Sequence, residues 1–495
     1  MPPAAGLLYT ASPLFPDVPM TATPLDARTA RLLPWLVAVA FFMQALDGTI
    51  LNTALPAMAT DLAEDPLRMQ GVVIAYMLTV ALLIPASGWI ADRFGTRRIF
   101  VGAILLFSLG SLLCALSTSL TQLVGARIVQ GLGGALMMPV GRLVVLRAYP
   151  RSELVRVMSL VTVPGLIGPL LGPTLGGWLV QYASWHWIFL INLPVGALGC
   201  FAALRFMPDL RGAQRSHFDT PGFVLFGAAM LLITVALEGL GELHMPPARV
   251  VLLLFGGAAC LAAYWLRAGR IAQPLFSPRL FRSRTFSVGI LGNLFGRLGS
   301  GALPFLVPLL LQVALGYSPA DAGMSMIPLA LAAMAIKPFA KPLIDWLGYR
   351  RVLTGNTLLL GLLIASLGLT DAQTPLPLLL VQLGIIGAIN SLQFTAMNTI
   401  TLIGLRDHEA SSGNSLLSVV VQLAISLGIA SAAALLGGFN QSGPGAGGAA
   451  VLPAFQLTFF CVGGLSMLAS AIFLQLGRED GGAQQDGRVG PPGDA

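Results

Sequence analysis

Fourteen predominantly apolar stretches follow one another along the chain, separated by short polar segments. A helix needs about 20 apolar residues to cross a hydrocarbon core about 30 Å thick. Windows of that length fall at 33–57, 70–91, 99–117, 121–146, 156–181, 187–207, 219–240, 249–268, 286–311, 320–344, 351–370, 375–403, 411–437 and 453–476. The pattern predicts an all-α integral membrane protein with fourteen transmembrane helices.

The cations follow the same pattern. Arg93, Arg97 and Arg98 lie between the second and third stretches, and Arg147, Arg151 and Arg156 between the fourth and fifth. The alternation continues through Arg205, Arg211 and Arg215, a group from Arg267 to Arg284, Lys341, Arg350, Arg351 and Arg406. The intervening segments carry Arg68 and Arg249, and the first of them is acidic, with Asp61, Glu64 and Asp65. Short cytoplasmic loops carry the excess of Lys and Arg, so both termini are expected in the cytoplasm.

Composition agrees. Of the 495 residues, 56% are hydrophobic and 10% charged, mean hydropathy is +0.81, and soluble domains carry about 25% charged residues. The orientation bias accounts for the net charge of +7, so no nucleic-acid partner follows from it. Cys114, Cys200, Cys260 and Cys461 each stand alone within an apolar stretch and read as small core hydrophobes. Neither a metal site nor a cofactor is expected. Residues 1–30 are Pro-rich and lack the basic-then-apolar order of a signal peptide; Met20 offers a second start.

The chain also repeats itself. Asp92-Arg93-Phe94-Gly95-Thr96-Arg97-Arg98 and Asp345-Trp346-Leu347-Gly348-Tyr349-Arg350-Arg351 share a D-x-x-G-x-R-R pattern at an offset of 253 residues. The same offset carries the start of the first stretch, 33, onto the start of the ninth, 286. The expected organisation is a disordered cytoplasmic segment 1–30, a six-helix half 31–210, two linker helices within 211–270, a second six-helix half 271–477 and a disordered tail 478–495. Six-span repeats around a central site are a transporter architecture.

Four motifs, taken in order, resemble the major facilitator superfamily, and in particular its fourteen-span drug:proton antiporter branch, which includes the EmrB and QacA exporters. Leu46-Asp47-Gly48-Thr49-Ile50-Leu51-Asn52-Thr53-Ala54-Leu55-Pro56 resembles LDxTIVNxALP, and the Gly88–Arg98 loop resembles GxLaDrxGrk. Arg127-Ile128-Val129-Gln130-Gly131-Leu132-Gly133-Gly134 resembles RxxQGxGgA, and the segment from Gly165 to Gly177 resembles the antiporter motif GxxxGPxxGG. Trp185-His186-Trp187 departs from the commoner WRW of that branch. The resemblance implies a bacterial inner-membrane exporter, driven by protons and acting on amphipathic, often cationic organic compounds, with links to multidrug efflux and antibiotic resistance.

Asp47 is the sharpest candidate. Of 21 acids, setting aside Asp219 and Asp321 at the very ends of their stretches, only Asp47 and Glu238 fall within the apolar stretches, and Asp47 is the deeper. Carboxylates inside a membrane are costly and mark ion or proton paths; the competing reading is a neutral, structural hydrogen-bonder. Its counterpart in the repeat is Ser300, so any coupling acid belongs to the first half. Arg127 falls at a similar depth, in the outer third, by helix rise and is the expected partner, with Gln130 in the same network; snorkelling to the headgroups is the alternative. Protonation of Asp47 would weaken the attraction and bias the conformational equilibrium.

The remaining candidates are of three kinds. Gln44, Asn52, Asn293, Arg297 and Asn390 are polar residues within stretches that could line a substrate cavity, inter-helix hydrogen bonding being the alternative. Gly88, Asp92, Arg93, Gly95, Arg97 and Asp345 form the gating set. Gly88 should permit close helix contact, and by resemblance Asp92 should meet the helix start around Ser411-Ser412-Gly413-Asn414 and latch the cytoplasmic side shut in the outward-open state. Gly165, Gly168, Pro169, Gly172, Pro173 and Gly176 should give a kinked helix with a flat face, which the family places between the halves to prevent leak, an ordinary close-packed helix pair being the alternative.

The expected partners are a small-molecule substrate, protons and the lipid bilayer; no residue pattern indicates a periplasmic adaptor. Rival readings are a dedicated exporter of one metabolite or siderophore, a symporter, a transport-inactive sensor and a membrane enzyme. Against an enzyme, the chain has no H-E-x-x-H, G-x-S-x-G or Walker pattern, and His186 stands alone.

Overall fold

The computed structural model describes residues 26–211, 218–241, 245–271, 273–405, 407–440, 450–477 and 480. The expected disordered segments, 1–30 and 478–495, lie almost wholly outside the described residues. The first half contains α1 (Ala27–Ile50), α2 (Gln70–Phe94), α3 (Thr96–Ala115), α4 (Leu120–Ala148), α5 (Arg151–Tyr182) and α6 (Asn192–Phe206). Next come α7 (Thr220–Gly241) and α8 (Pro247–Ala268), where the two linker helices are expected. The second half contains α9 (Arg284–Leu309), α10 (Pro319–Ala335), α11 (Lys337–Leu347), α12 (Tyr349–Ser366), α13 (Leu376–Ile403), α14 (Asp407–Phe439) and α15 (Leu452–Phe473). No strand occurs among the described residues.

Among the described residues twelve helices are long and apolar enough to cross a membrane, or thirteen if α10 and α11, which meet at 54°, form one bent span. Pro338 in the first turn of α11 has no N–H to donate backwards, which accounts for the break there. The expected span 156–181 lies within α5, a helix of 32 residues that contains Pro164, Pro169 and Pro173 without a break. In a lipid core only helices and closed barrels satisfy every backbone polar group internally. The protein is a multi-pass, all-helical membrane protein.

The apolar cores are unequally shared. One cluster joins the halves, packing Leu46, Ile50, Leu55 and Met58 with Phe305, Leu306, Leu310 and Ile429. Each half also has a core of its own, with Leu33, Val37, Phe100 and Val144 in one and Val288, Ile344, Leu353 and Phe473 in the other. The linker helices dock through Phe226 and Tyr264 onto Leu78 and Ala81 of α2 and Leu416 and Val420 of α14.

The two D-x-x-G-x-R-R loops share a backbone device. Gly95 joins α2 to α3 at φ +94°, and Gly348 joins α11 to α12 at φ +77°. A side chain would be strained at either position, which explains a glycine at the same place in both.

Candidate functional site

Helix packing builds a buried polar cluster within the first half. Gly110 of α3 lies against the backbone of Gln130, and Gly133 of α4 lies against Ala103 and Phe107, so α3 and α4 pack closely. Gly131 and Gly134 leave room for Tyr76 of α2; a Cβ at either would strike Tyr76 or its neighbour Thr79. The glycines of the R-x-x-Q-G-x-G-G segment therefore make space, and its Arg and Gln supply the chemistry.

That chemistry converges on Asp47. Arg127 Nη1 donates to Asp47 Oδ2 at 2.7 Å, and both side chains are 1% exposed. Gln130 Nε2 donates to Asp47 Oδ1 at 2.8 Å, and Asn192 Nδ2 reaches the same oxygen at 3.4 Å. Arg127 also donates to Gln130 Oε1 (2.6 Å) and the Val72 carbonyl (3.3 Å), and its guanidinium stands 4.2 Å from the Tyr76 ring centre. Ser111 Oγ accepts from Gln130 (2.8 Å) and Asn192 (3.2 Å). Five helices thus meet at one buried ion pair. Taking two charges out of water costs several kcal/mol per ion, which excellent geometry and further hydrogen bonds must offset.

Asn192, Ser111 and Tyr76 are absent from the sequence-derived candidates. Asn192 carries a legible signal, an amide within an apolar span. Ser111 and Tyr76 carry none, because hydroxyls are common in membrane helices.

The other candidates disperse. Gln44 is half-buried on α1 and Asn52 is buried just beyond it. In the second half Arg297 donates from Nε to Asn293 Oδ1 at 2.9 Å and from Nη2 to Asn398 Oδ1 at 3.4 Å, 4.2 Å from the Phe394 ring centre. Asn293 continues to the Gly289 carbonyl and to Thr401. Asn390 is half-buried on α13, and the Glu238 side chain lies outside those described.

Asp92 of the gating set pairs with Arg147 at 2.7 Å, in the last turn of α4. A cation is favoured at that helix end, and it sits within reach. The Ser411 side chain lies outside those described. Gly88 is exposed with open space where a Cβ would stand, so the close contact expected of it is not made. Arg93 lies 5.5 Å from the Trp89 ring, and Asp345 is exposed. Arg97 instead anchors the segment after α6: its backbone N–H donates to Asp209 Oδ1 at 3.3 Å and its Nε to the Met207 carbonyl at 2.5 Å. A Cβ at Gly95 would collide with the same Asp209 carboxylate.

The glycine stripe of α5 makes a close helix pair with α1. Gly168 packs on Ala45 and Leu46, Gly172 on Thr49 and Ile50, and Gly176 on Ile50 and Thr53, all within the first half, while Gly165 meets Phe41 in ordinary contact. The contact between halves involves Pro173 of that set and the next glycine, Gly177. Gly177 lies against the Pro319 carbonyl of α10, and Gly323 of α10 lies against the Pro173 carbonyl of α5. Gln312 donating to the Thr53 carbonyl (3.0 Å) and Ala320 N–H to Gln181 (3.1 Å) complete this seam.

A polytopic helical bundle that buries an ion pair among its spans is the architecture of a membrane transporter. A sequence model described as Major Facilitator Superfamily matches residues 37–429, and the chain belongs to that family. It is 49% identical over 445 residues to MdtD of Salmonella heidelberg (strain SL476), a protein named for multidrug resistance, covering 89% of this chain and 94% of that protein. The MdtD of Serratia proteamaculans (strain 568) is 48% identical over 442 residues, covering 89% and 92%. A peptide transporter of the POT family in complex with sulfate shares the fold, with TM-score 0.67 at 15% identity over 90% of this chain and 94% of that one. So does a bacterial homologue of the lysosomal transporter Spinster, inward-facing and unoccupied, with TM-score 0.64 at 17% identity over 91% and 97%.

Proposed function

We propose that this protein is a proton-driven exporter of amphipathic organic compounds, working by alternating access in a bacterial inner membrane. The observation that carries the reading is the cluster in which Arg127, Gln130 and Asn192 all donate to Asp47. Asp47 is the acid buried within a span among the described side chains, and intramembrane acids mark proton paths.

While ionised, Asp47 holds α1 to α4 through Arg127. Protonation removes its charge, and Arg127 keeps the Gln130 and Val72 oxygens and the Tyr76 ring but loses its counter-ion. The free-energy difference between the two charge states biases the packing of α1, α4 and α6, which is how a proton could select a conformation. The shared core and the Gly177–Pro319 seam close the end away from the Arg-rich loops, which supports an inward-facing state with both termini cytoplasmic. Fourteen crossings follow if α5 spans and α10 with α11 form one bent span. Kinship with proteins named for multidrug resistance supports the substrate reading.

The test is collapse of a pH gradient in inverted vesicles carrying the protein, on adding a panel of lipophilic cations, organic anions and neutral drugs. Drug-triggered proton movement that disappears in Asp47→Asn is expected. A flat response across the panel with wild-type protein would overturn the multidrug reading, and undiminished proton movement in the variant would overturn the role of Asp47.

A further inference from the structure

The two halves treat their buried cations differently. Arg127 has a carboxylate at 2.7 Å. Arg297 is 95% buried (5% exposed) and takes part in no ion pair among the described residues. It lies 13 residues into α9, about 20 Å from that helix's cytoplasmic start in a core about 30 Å thick. A cation at that depth is costly unless it meets an anion or a polar cavity.

The surroundings of Arg297 are neutral but shaped for it. Asn293 and Asn398 each take one N–H, leaving three of the five guanidinium donors without a protein acceptor among the described residues. The Phe394 ring that faces the guanidinium is itself 45% exposed, so an apolar surface stands open beside the charge. Among the described buried side chains no spare acid meets it. Asp47 is held by Arg127, and the other buried acid described, Asp219, pairs with Arg267 (3.2 Å) at the start of α7.

We infer that Arg297 is an anion-binding residue of the transport site. Its ligand is an organic anion carrying a carboxylate or phosphate, with the guanidinium fork gripping two oxygens and Phe394 covering the apolar part. Planar N–H pairs match carboxylate and phosphate geometry, and such charge-assisted bonds are the strong ones. The assignment rests on the transport reading above and narrows it: a cationic drug would find Asp47 already occupied and Arg297 repulsive.

Binding of carboxyfluorescein to the purified full-length protein, read by fluorescence anisotropy with tetraphenylphosphonium as competitor, tests the assignment. Wild type is expected to bind the dye without competition from the cation, and Arg297→Gln to bind it about tenfold or more weakly. Absence of dye binding in wild type, or equal binding in Arg297→Gln, overturns the assignment. Should that variant fail to accumulate, Arg297→Lys carries the test: the charge stays, the fork goes, and affinity should fall several-fold, unchanged affinity overturning the claim. The same dye is then applied to inverted vesicles. Arg297-dependent binding without proton movement would leave the site standing and defeat the transport reading. Asp47-dependent proton movement with tetraphenylphosphonium, and no dye binding, would do the reverse.

Discussion

Arg127 and Asp47, 80 residues apart in sequence, share a 2.7 Å hydrogen bond at a point where both side chains are sealed from solvent. Breaking such a pair from one side strands the other charge. Asp47→Asn should therefore destabilise the protein by about 3–5 kcal/mol, and Arg127→Gln by a similar amount. The double variant should lose less than the sum, because neither charge is then left alone. Thermal unfolding in detergent, run as a double-mutant cycle, checks this; strict additivity would contradict a direct coupling.

The seam at the far end from the Arg-rich loops depends on two glycines. Ala at Gly177 or Gly323 would place a Cβ into the carbonyl of Pro319 or Pro173, and packed backbone does not yield cheaply. Either change should separate α5 from α10 and raise the labelling, by a membrane-impermeant maleimide, of a cysteine placed at Gln312. Gly48→Ala serves as the control, since nothing lies within 4 Å of its Cβ position. Equal labelling in all three would rule out the seam as the closure point.

Asp92 and Arg147 stand 2.7 Å apart and each is about 30% exposed, at 29% and 30%. Exposed pairs contribute roughly 0–1 kcal/mol. Arg147→Ala should then leave unfolding nearly unchanged, within about 1 kcal/mol. Asp92→Arg combined with Arg147→Asp should restore whatever transport the single reversals lose. No recovery in the double reversal would show that the pair has no role of its own.

Tyr149, at the end of α4, donates its hydroxyl to the Ala30 carbonyl at 2.7 Å. Burial first, and the nearby Glu153 carboxylate second, push its phenol up to about 12 from 10.0. The folded state thus holds the phenol proton more tightly than the unfolded chain does. This contribution is complete below pH 10 and fades as pH rises from 10 through about 12. Alkaline unfolding curves of wild type and Tyr149→Phe should therefore differ in slope across that interval, and identical slopes would count against the contact.

Much of the architecture was legible because its causes are local. Apolar length dictates helices in lipid whatever their neighbours, and α7 and α8 appear where hydropathy predicts them. The Gly95 and Gly348 turns follow from a backbone conformation that side chains resist. Asp47 was legible for the same kind of reason, as a charge in a segment that should hold none, and Arg127 as its partner by depth along two helices.

Rotation of each helix about its axis is a different matter, since every face of a membrane helix can be apolar and sequence periodicity is weak. That rotation turned the glycine stripe of α5 onto α1 and left Gly177 to meet Pro319. It gave Asp92 to Arg147, Arg97 to Met207 and Asp209, and brought Ser111, Tyr76 and Asn192 to the ion pair. The sequence by itself determined a polytopic helical transporter with a misplaced acid in its first span. Tertiary packing decided which groups that acid meets, where the halves touch and that Arg297 joins no ion pair among the described residues, because these depend on side-chain direction between helices far apart in the chain.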